Sequence, residues 1–190
     1  MTGKEHRWLL GGGIGTGKST VRRLLDEAGV FTIDADSIGH SVIEPDGPAH
    51  AEVAARWPST VVNGRIDRRS LAHIVFSDPE ELSTLESMTH PHIFGTIRDL
   101  LEEVSGVVVV EMPLLDKAPD GDWGRLVVDC DDRVRLQRAV QRGITVEEAK
   151  ARIAVQPSRS QWLAVADLVV PNHGTEDDLR ETVTRLLPLL

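Results

Sequence analysis

Gly12-Gly13-Ile14-Gly15-Thr16-Gly17-Lys18-Ser19 satisfies the full pattern G-x-x-x-x-G-K-[ST], and each position has a chemical task. Glycines accept positive φ and let the backbone approach a ligand closely, so successive N–H groups can wrap an anionic phosphate. A helix starting at the Lys18-Ser19 end adds the positive end of its dipole to that nest. Lys18 can reach the outer phosphoryl oxygens of a nucleoside triphosphate, and the Ser19 hydroxyl can ligate Mg²⁺. With glycine near 7% of average usage, a chance match in a chain of this length is roughly a one-percent event.

Rival nucleotide folds fail on the same residues. No register of Gly11, Gly12, Gly13, Gly15 and Gly17 supplies G-x-G-x-x-G, and a dinucleotide site gives Lys18 and Ser19 no role. Asn63 and Asn172 are the only asparagines and neither precedes a lysine, so the N-K-x-D signature of guanine recognition is missing.

Three further features carry chemistry. Asp34-Ala35-Asp36 stands where a strand should end, and a carboxylate there can take the proton of an incoming hydroxyl. If the strand persists, Asp34 and Asp36 point the same way; the alternative is that one of them caps a helix beginning near Ser37. Glu111 ends another strand and reads equally as a holder of Mg²⁺-bound water or as a structural acid. His90 and His92 flank Pro91, but without clustered carboxylates or cysteines a metal pair is weak; a helix starting with Pro91 at its first position fits better.

The elements that must position these residues alternate along the chain, which predicts an α/β fold with a parallel sheet. Five strands are expected at Trp8–Leu10, Val30–Ile33, Val107–Val110, Leu126–Val128 and Leu168–Val170, the third reading as buried on both faces. The first helix runs from Ser19 to Ala28, with Val21, Leu24, Leu25 and Ala28 at helical spacing and Gly29 as the stop. The expected core is about 1–36, 107–141 and 167–190. A helical insertion spans about 37–106, with helices at Pro79–Met88 and Pro91–Val104, and a lid about 142–166. Both excursions leave the carboxyl ends of strands, where open parallel sheets bind ligands.

The 190 residues carry 21 basic and 30 acidic groups, a net charge of −9. That balance argues against a general nucleic-acid or membrane-surface binder, and no apolar stretch reaches membrane-spanning length. Met1–Trp8 is polar and charged, unlike a secretory signal. The single cysteine, Cys130, excludes an internal disulfide and makes a cytoplasmic setting the default. From Arg133 to Arg159 the sign reverses, with seven bases against two acids. Such a segment fits either a local anionic ligand or a solvated helical face. Trp8, Trp57, Trp123 and Trp162 do not interleave with bases and read as packing residues.

The chain resembles the dephospho-coenzyme A kinases over nearly its whole length. The resemblance is carried by Gly12 through Thr20, Ile33-Asp34-Ala35-Asp36, Ile66-Asp67-Arg68-Arg69-Ser70-Leu71, Ile74-Val75-Phe76, His90-Pro91 and Pro113-Leu114-Leu115. Arg138, Arg142, Gln156, Ala166-Asp167 and Asn172 follow in order. It departs from the family at Gly11, where threonine is usual, at Glu111, where aspartate is common, and at Lys117, where glutamate is expected.

The resemblance implies a three-layer P-loop NTPase core with a five-stranded parallel sheet, a helical coenzyme-A-binding insertion and a small lid. It implies transfer of the ATP γ-phosphoryl to the ribose 3′-hydroxyl of dephospho-CoA. Asp36 would be the base, with Lys18 and a lid arginine, Arg138 or Arg142, stabilising the transferring group. Gly12 through Thr20 and Asn172 would bind ATP; Asp34, Arg68, Arg69 and His90 the acceptor; Ser19 and Glu111 the Mg²⁺. A cytoplasmic enzyme, monomeric or weakly homo-oligomeric, with no nucleic-acid or membrane partner, is expected. A related nucleoside or nucleotide kinase, and a nucleotide-binding module that has lost catalysis, are the alternatives.

Overall fold

Val107 through Val110 has no polar face to offer water, and three of these four valines form a strand with a partner on each side. In the computed structural model, which describes residues 7–113 and 118–190, β1 (Arg7–Gly11) leads through a glycine loop to α1 (Lys18–Glu27) and β2 (Phe31–Asp34). There follow α2 (Ala35–Ser41), α3 (His50–Arg56), a short antiparallel hairpin of β3 (Val61–Val62) and β4 (Arg65–Ile66), α4 (Arg68–Val75) and α5 (Pro79–Glu102). The chain continues with β5 (Val108–Glu111), β6 (Gly124–Asp129), α6 (Asp132–Gln141), α7 (Val146–Ala154), α8 (Arg159–Ala164), β7 (Leu168–Pro171) and α9 (Glu176–Leu186).

Two compact units result, Met1–Asp34 with Val104–Leu190, and Ala35–Glu103. In the first, a five-stranded parallel sheet has the order β2-β5-β1-β6-β7. Its period of two sends Trp8, Leu10, Val109, Leu126, Val128 and Val170 to one face, where they meet Val21, Leu24 and Leu25 of α1 and Leu179 and Val183 of α9. Each such aliphatic side chain taken from water contributes about 1.5–3 kcal/mol. On the helix, Val21, Leu24 and Leu25 recur at the spacing of one face. Because the strands are parallel and in register, Gly11, Asp34, Glu111, Asp129 and Pro171 end at the same sheet edge.

The second unit has its own core. Val42, Ile43, Val53, Trp57, Ile66, Leu71 and Val75 are buried in it, with Leu82, Leu85, Met88 and Ile93 of α5 packed alongside. Here one expectation fails. The region read as two helices, the second starting at Pro91, is the single helix α5 with Pro91 inside it. Leu82, Leu85, Thr89, Ile93 and Ile97 form one stripe at three- and four-residue steps straight through the proline. Burial along that stripe outweighs the one hydrogen bond Pro91 cannot donate. Asp78 accepts from Glu80 N (2.9 Å) and caps the true start.

The strand does not persist to Asp36: it stops at Asp34, and α2 begins at Ala35, earlier than the helix start expected near Ser37, placing Asp36 in a helical first turn and not at the cap. All four tryptophans are buried, as packing residues should be. Leu114, Leu115, Asp116 and Lys117, part of the run used for the resemblance, lie outside the described residues.

Candidate active site

At the sheet edge the loop between β1 and α1 is held by its carbonyls, two of them by its own Thr16 and Lys18 and two by side chains far along the chain. Lys18 Nζ donates to Gly12 O (2.9 Å), Thr16 Oγ1 to Gly13 O (2.9 Å), Arg135 Nε to Ile14 O (3.1 Å) and Asn172 Nδ2 to Thr16 O (2.7 Å). What is left for an anion is the amide side. Gly17 is the N-cap of α1 with φ 98°, and it makes no side-chain cap bond to the first turn. A Cβ there would lie 2.3 Å from Asn172 Nδ2, so the turn needs glycine for both its backbone conformation and its space. A helix start of this kind turns the positive end of its dipole toward an anion.

Beside Gly17 and Thr20 opens a cleft of about 310 Å³, bordered also by Arg138, Gln141, Arg142 and Asn172. Arg138 is fixed rather than loose: Nη1 donates to Asn172 O (3.1 Å), and Nη2 to Asn172 Oδ1 (3.2 Å) and Gly174 O (3.1 Å). Asn172 therefore bridges this arginine to the loop, and both ends of its amide are committed. Arg142 ends α6 and is exposed. A cleft with two guanidinium groups next to a phosphate nest suits the flat base and anionic tail of a nucleotide.

Carboxylates collect on the other side of the loop. Arg22, one turn along α1 from Ser19, donates through Nε to Glu111 Oε2 (2.9 Å) and brings Nη2 to 3.3 Å from Asp34 Oδ2. Asp34 and Glu111 are register partners on β2 and β5. Burial pushes the Glu111 carboxyl above its usual range, against the opposing pull of Lys18 and Arg22. Among the described residues no three His, Cys, Asp or Glu side chains form a metal cage. Ser19, Asp34 and Glu111 carry the oxygens that could serve a hard cation taking most of its ligands from phosphate and water.

Further along the edge, Asp129 is gripped in two-pronged fashion by Arg159 through Nε and Nη2 (both 2.7 Å), with His173 Nε2 3.6 Å away. The Arg159 guanidinium holds the Asp129 carboxyl below its usual range. Arg22 and Arg135 were missed as site residues by sequence reading, as were Asp129 and Arg159. The basic segment from Arg133 to Arg159 resolves into different jobs that charge counting cannot separate. Arg135 is buried under the loop, Arg138 ties β7's exit, Arg142 borders the cleft, and Arg159 pairs with Asp129. Arg133, Lys150 and Arg152 are exposed.

The CoaE dephospho-CoA kinase family model matches residues 9–178. The chain belongs to the dephospho-CoA kinase family. A dephospho-CoA kinase of Thermobifida fusca is 38% identical over 184 residues, covering 93% of this chain and 92% of that one. The crystal structure of TT1252 from Thermus thermophilus superposes with a TM-score of 0.86 at 34% identity, covering 97% and 98% of the two chains. A dephospho-CoA kinase from Campylobacter jejuni gives 0.69 at 26% identity, covering 96% and 95%. The five-stranded parallel α/β core is thus that of P-loop kinases.

The other residues the family resemblance singled out belong to the second unit. Asp36 is exposed in the first turn of α2, a position favoured for an acid by the helix dipole. Arg68 and Arg69 are exposed at the start of α4, whose cap Asp67 accepts from Arg69 N (3.1 Å) and from Ser70 Oγ (2.6 Å). His90 stacks obliquely on Phe94 within α5, ring centroids 5.2 Å apart. Helices α2 and α4 both pack on α5, which sets these groups on one scaffold.

Proposed function

We propose that this member of the dephospho-CoA kinase family transfers the γ-phosphoryl group of ATP to the ribose 3′-hydroxyl of dephospho-CoA, giving CoA and ADP, the last step of coenzyme A biosynthesis. The reading rests on the phosphate loop, with Lys18 at the head of a helix start that no side chain caps. Phosphoryl transfer asks for in-line placement and neutralisation of spread negative charge, with little covalent work by the protein. Gly12 through Thr20 wrap the ATP phosphates. Arg138 and Arg142 border the base and face the polyphosphate, with Asn172 holding Arg138 in place. Lys18 and one of these arginines compensate the charge of the transferring group.

Ser19 and Glu111 are the residues that would hold Mg²⁺, which when bound would offset negative charge on the phosphates of the nucleotide. Asp36 accepts the proton of the 3′-hydroxyl. Arg68 and Arg69, with His90 and Asp34, bind the acceptor; the unit Ala35–Glu103 serves as its platform. Residues 142–166 act as the lid that excludes water. We place the enzyme in the cytoplasm, as a monomer or weak homo-oligomer with no nucleic-acid or membrane partner; among the described residues no helix is long and apolar enough to cross a membrane.

The test is ADP release from Mg·ATP with and without dephospho-CoA, with the product weighed by mass spectrometry and Asp36→Asn run alongside. Acceptor-dependent ADP and CoA are expected, with kcat in the variant lower by about 10²–10⁴. Nucleotide binding without CoA formation would defeat the proposal, and an unchanged Asp36→Asn rate would defeat the assignment of the base.

A further inference from the structure

Arg135 is a cation inside the protein, its side chain only 3% exposed. Two of its nitrogens serve the phosphate loop, Nε donating to Ile14 O (3.1 Å) and Nη2 to Gln156 Oε1 (3.2 Å), while Nη1 donates to Asp132 Oδ1 (2.8 Å) on its own helix. Gln156 Oε1 in turn accepts from Ile14 N (2.8 Å). The N–H and the C=O of Ile14 are therefore both held by one pair of side chains that share an oxygen. The fit is tight, since a Cβ at Gly13 would fall 2.1 Å from Arg135 Nη2 and 3.1 Å from Gln156 Oε1.

The two side chains come from different places: Arg135 from α6, and Gln156 from the segment between α7 and α8. We propose that Arg135 and Gln156 are positioning residues for nucleotide binding and phosphoryl transfer. They fix the two peptide groups flanking Ile14, so that the amides from Gly15 onward keep the curvature that fits phosphate. Neither touches the reacting atoms. A loop fixed at only one of these points could rotate the Ile14 peptides and turn a carbonyl toward the anion, and preorganised donors lose their advantage when they must first be ordered. The arrangement also makes the loop sensitive to the α7–α8 segment, because Gln156 leaves the pair if that segment moves.

The inference rests on the kinase reading for its catalytic part, and its first readout does not. Mg·ADP is titrated calorimetrically into the parent chain, Arg135→Met, Arg135→Lys, Gln156→Leu and Gln156→Glu, with melting temperatures measured alongside. Arg135→Met and Gln156→Leu should each weaken Mg·ADP binding about tenfold and raise the ATP KM while leaving the acceptor KM unchanged. Gln156→Glu, which keeps an oxygen for both donors, should stay near the parent. Arg135→Lys keeps the charge but cannot span both acceptors, and should behave like Arg135→Met. The double variant Arg135→Met/Gln156→Leu should be no weaker than the poorer single one, because the pair acts through one shared contact.

Parent-like Mg·ADP affinity in Gln156→Leu, with only a lowered melting temperature, would overturn the proposal. Should Arg135→Met fail to fold, the half-exposed Gln156 pair of variants decides the matter alone. A parent that binds Mg·ADP but forms no CoA would sink the kinase reading and leave this comparison of affinities standing.

Discussion

Two helix starts in this chain carry neighbouring positive charge, and they are finished in opposite ways. At α4 the cap is Asp67, whose carboxylate accepts from Arg69 N and Ser70 Oγ, so the chain satisfies its own amide and Arg68 and Arg69 extend into solvent. At α1 the cap is Gly17, which has no side chain to offer, and the surrounding residues grip the loop's carbonyls instead. The first arrangement stabilises a helix and offers flexible charges that can adapt to an anion. The second turns backbone itself into a receptor whose donors are already oriented when phosphate arrives. Flexible side chains suit holding a substrate, because they adapt at an entropic cost; a fixed nest suits the group being transferred, where an error of an ångström is expensive.

The sharpest way to break this contrast is at the nest. Lys18→Ala should lower kcat/KM by about 10³-fold while the chain stays folded, as steady-state kinetics and circular dichroism would show. Gly17→Ala forces a Cβ against Asn172 at a φ that L-residues avoid, and should weaken Mg·ADP binding by more than about tenfold in calorimetry. At the flexible pair, Arg68→Glu/Arg69→Glu should raise the KM for dephospho-CoA by roughly tenfold or more and leave Mg·ADP affinity as it was.

The smallest effect belongs to the α4 cap. Ser70 Oγ and the Arg69 amide hold the Asp67 carboxyl below its usual range. Its contribution to stability is therefore full above the ordinary carboxylate pKa of about 4 and fades as pH falls through the lowered folded value. Asp67→Asn should flatten that part of the acid limb in urea unfolding, with nucleotide affinity unchanged.

What could be read beforehand divides along physical lines. The phosphate loop and the five strands are local: a glycine pattern, runs of β-branched residues and a helical stripe on Val21, Leu24 and Leu25 determine them within a few neighbours. Pro91 misled because a proline signals a helix start locally, whereas the stripe from Leu82 to Ile97 that keeps α5 whole spans the break. The strand end near Asp34 is legible, but whether Asp36 continues it or belongs to a helix is not, since alternation has no means of marking where a strand gives way to a helix. Arg135 and Arg22 were invisible for a different reason. In sequence they are two bases among many, and only the meeting of α6 with Ile14, or of α1 with β2 and β5, gives them their partners. Asp129 and Arg159 meet across 30 residues in the same way.

In the proposed reaction the nest delivers a phosphoryl group to dephospho-CoA. That transfer is tested most directly by following the γ-phosphate itself, with γ-³²P-labelled ATP, Mg²⁺ and dephospho-CoA incubated with the chain and the products separated. Label in CoA, released quantitatively by a 3′-nucleotidase and lost in Lys18→Ala, is the predicted result. Label appearing only as inorganic phosphate, or at the same rate without the acceptor, would contradict the account.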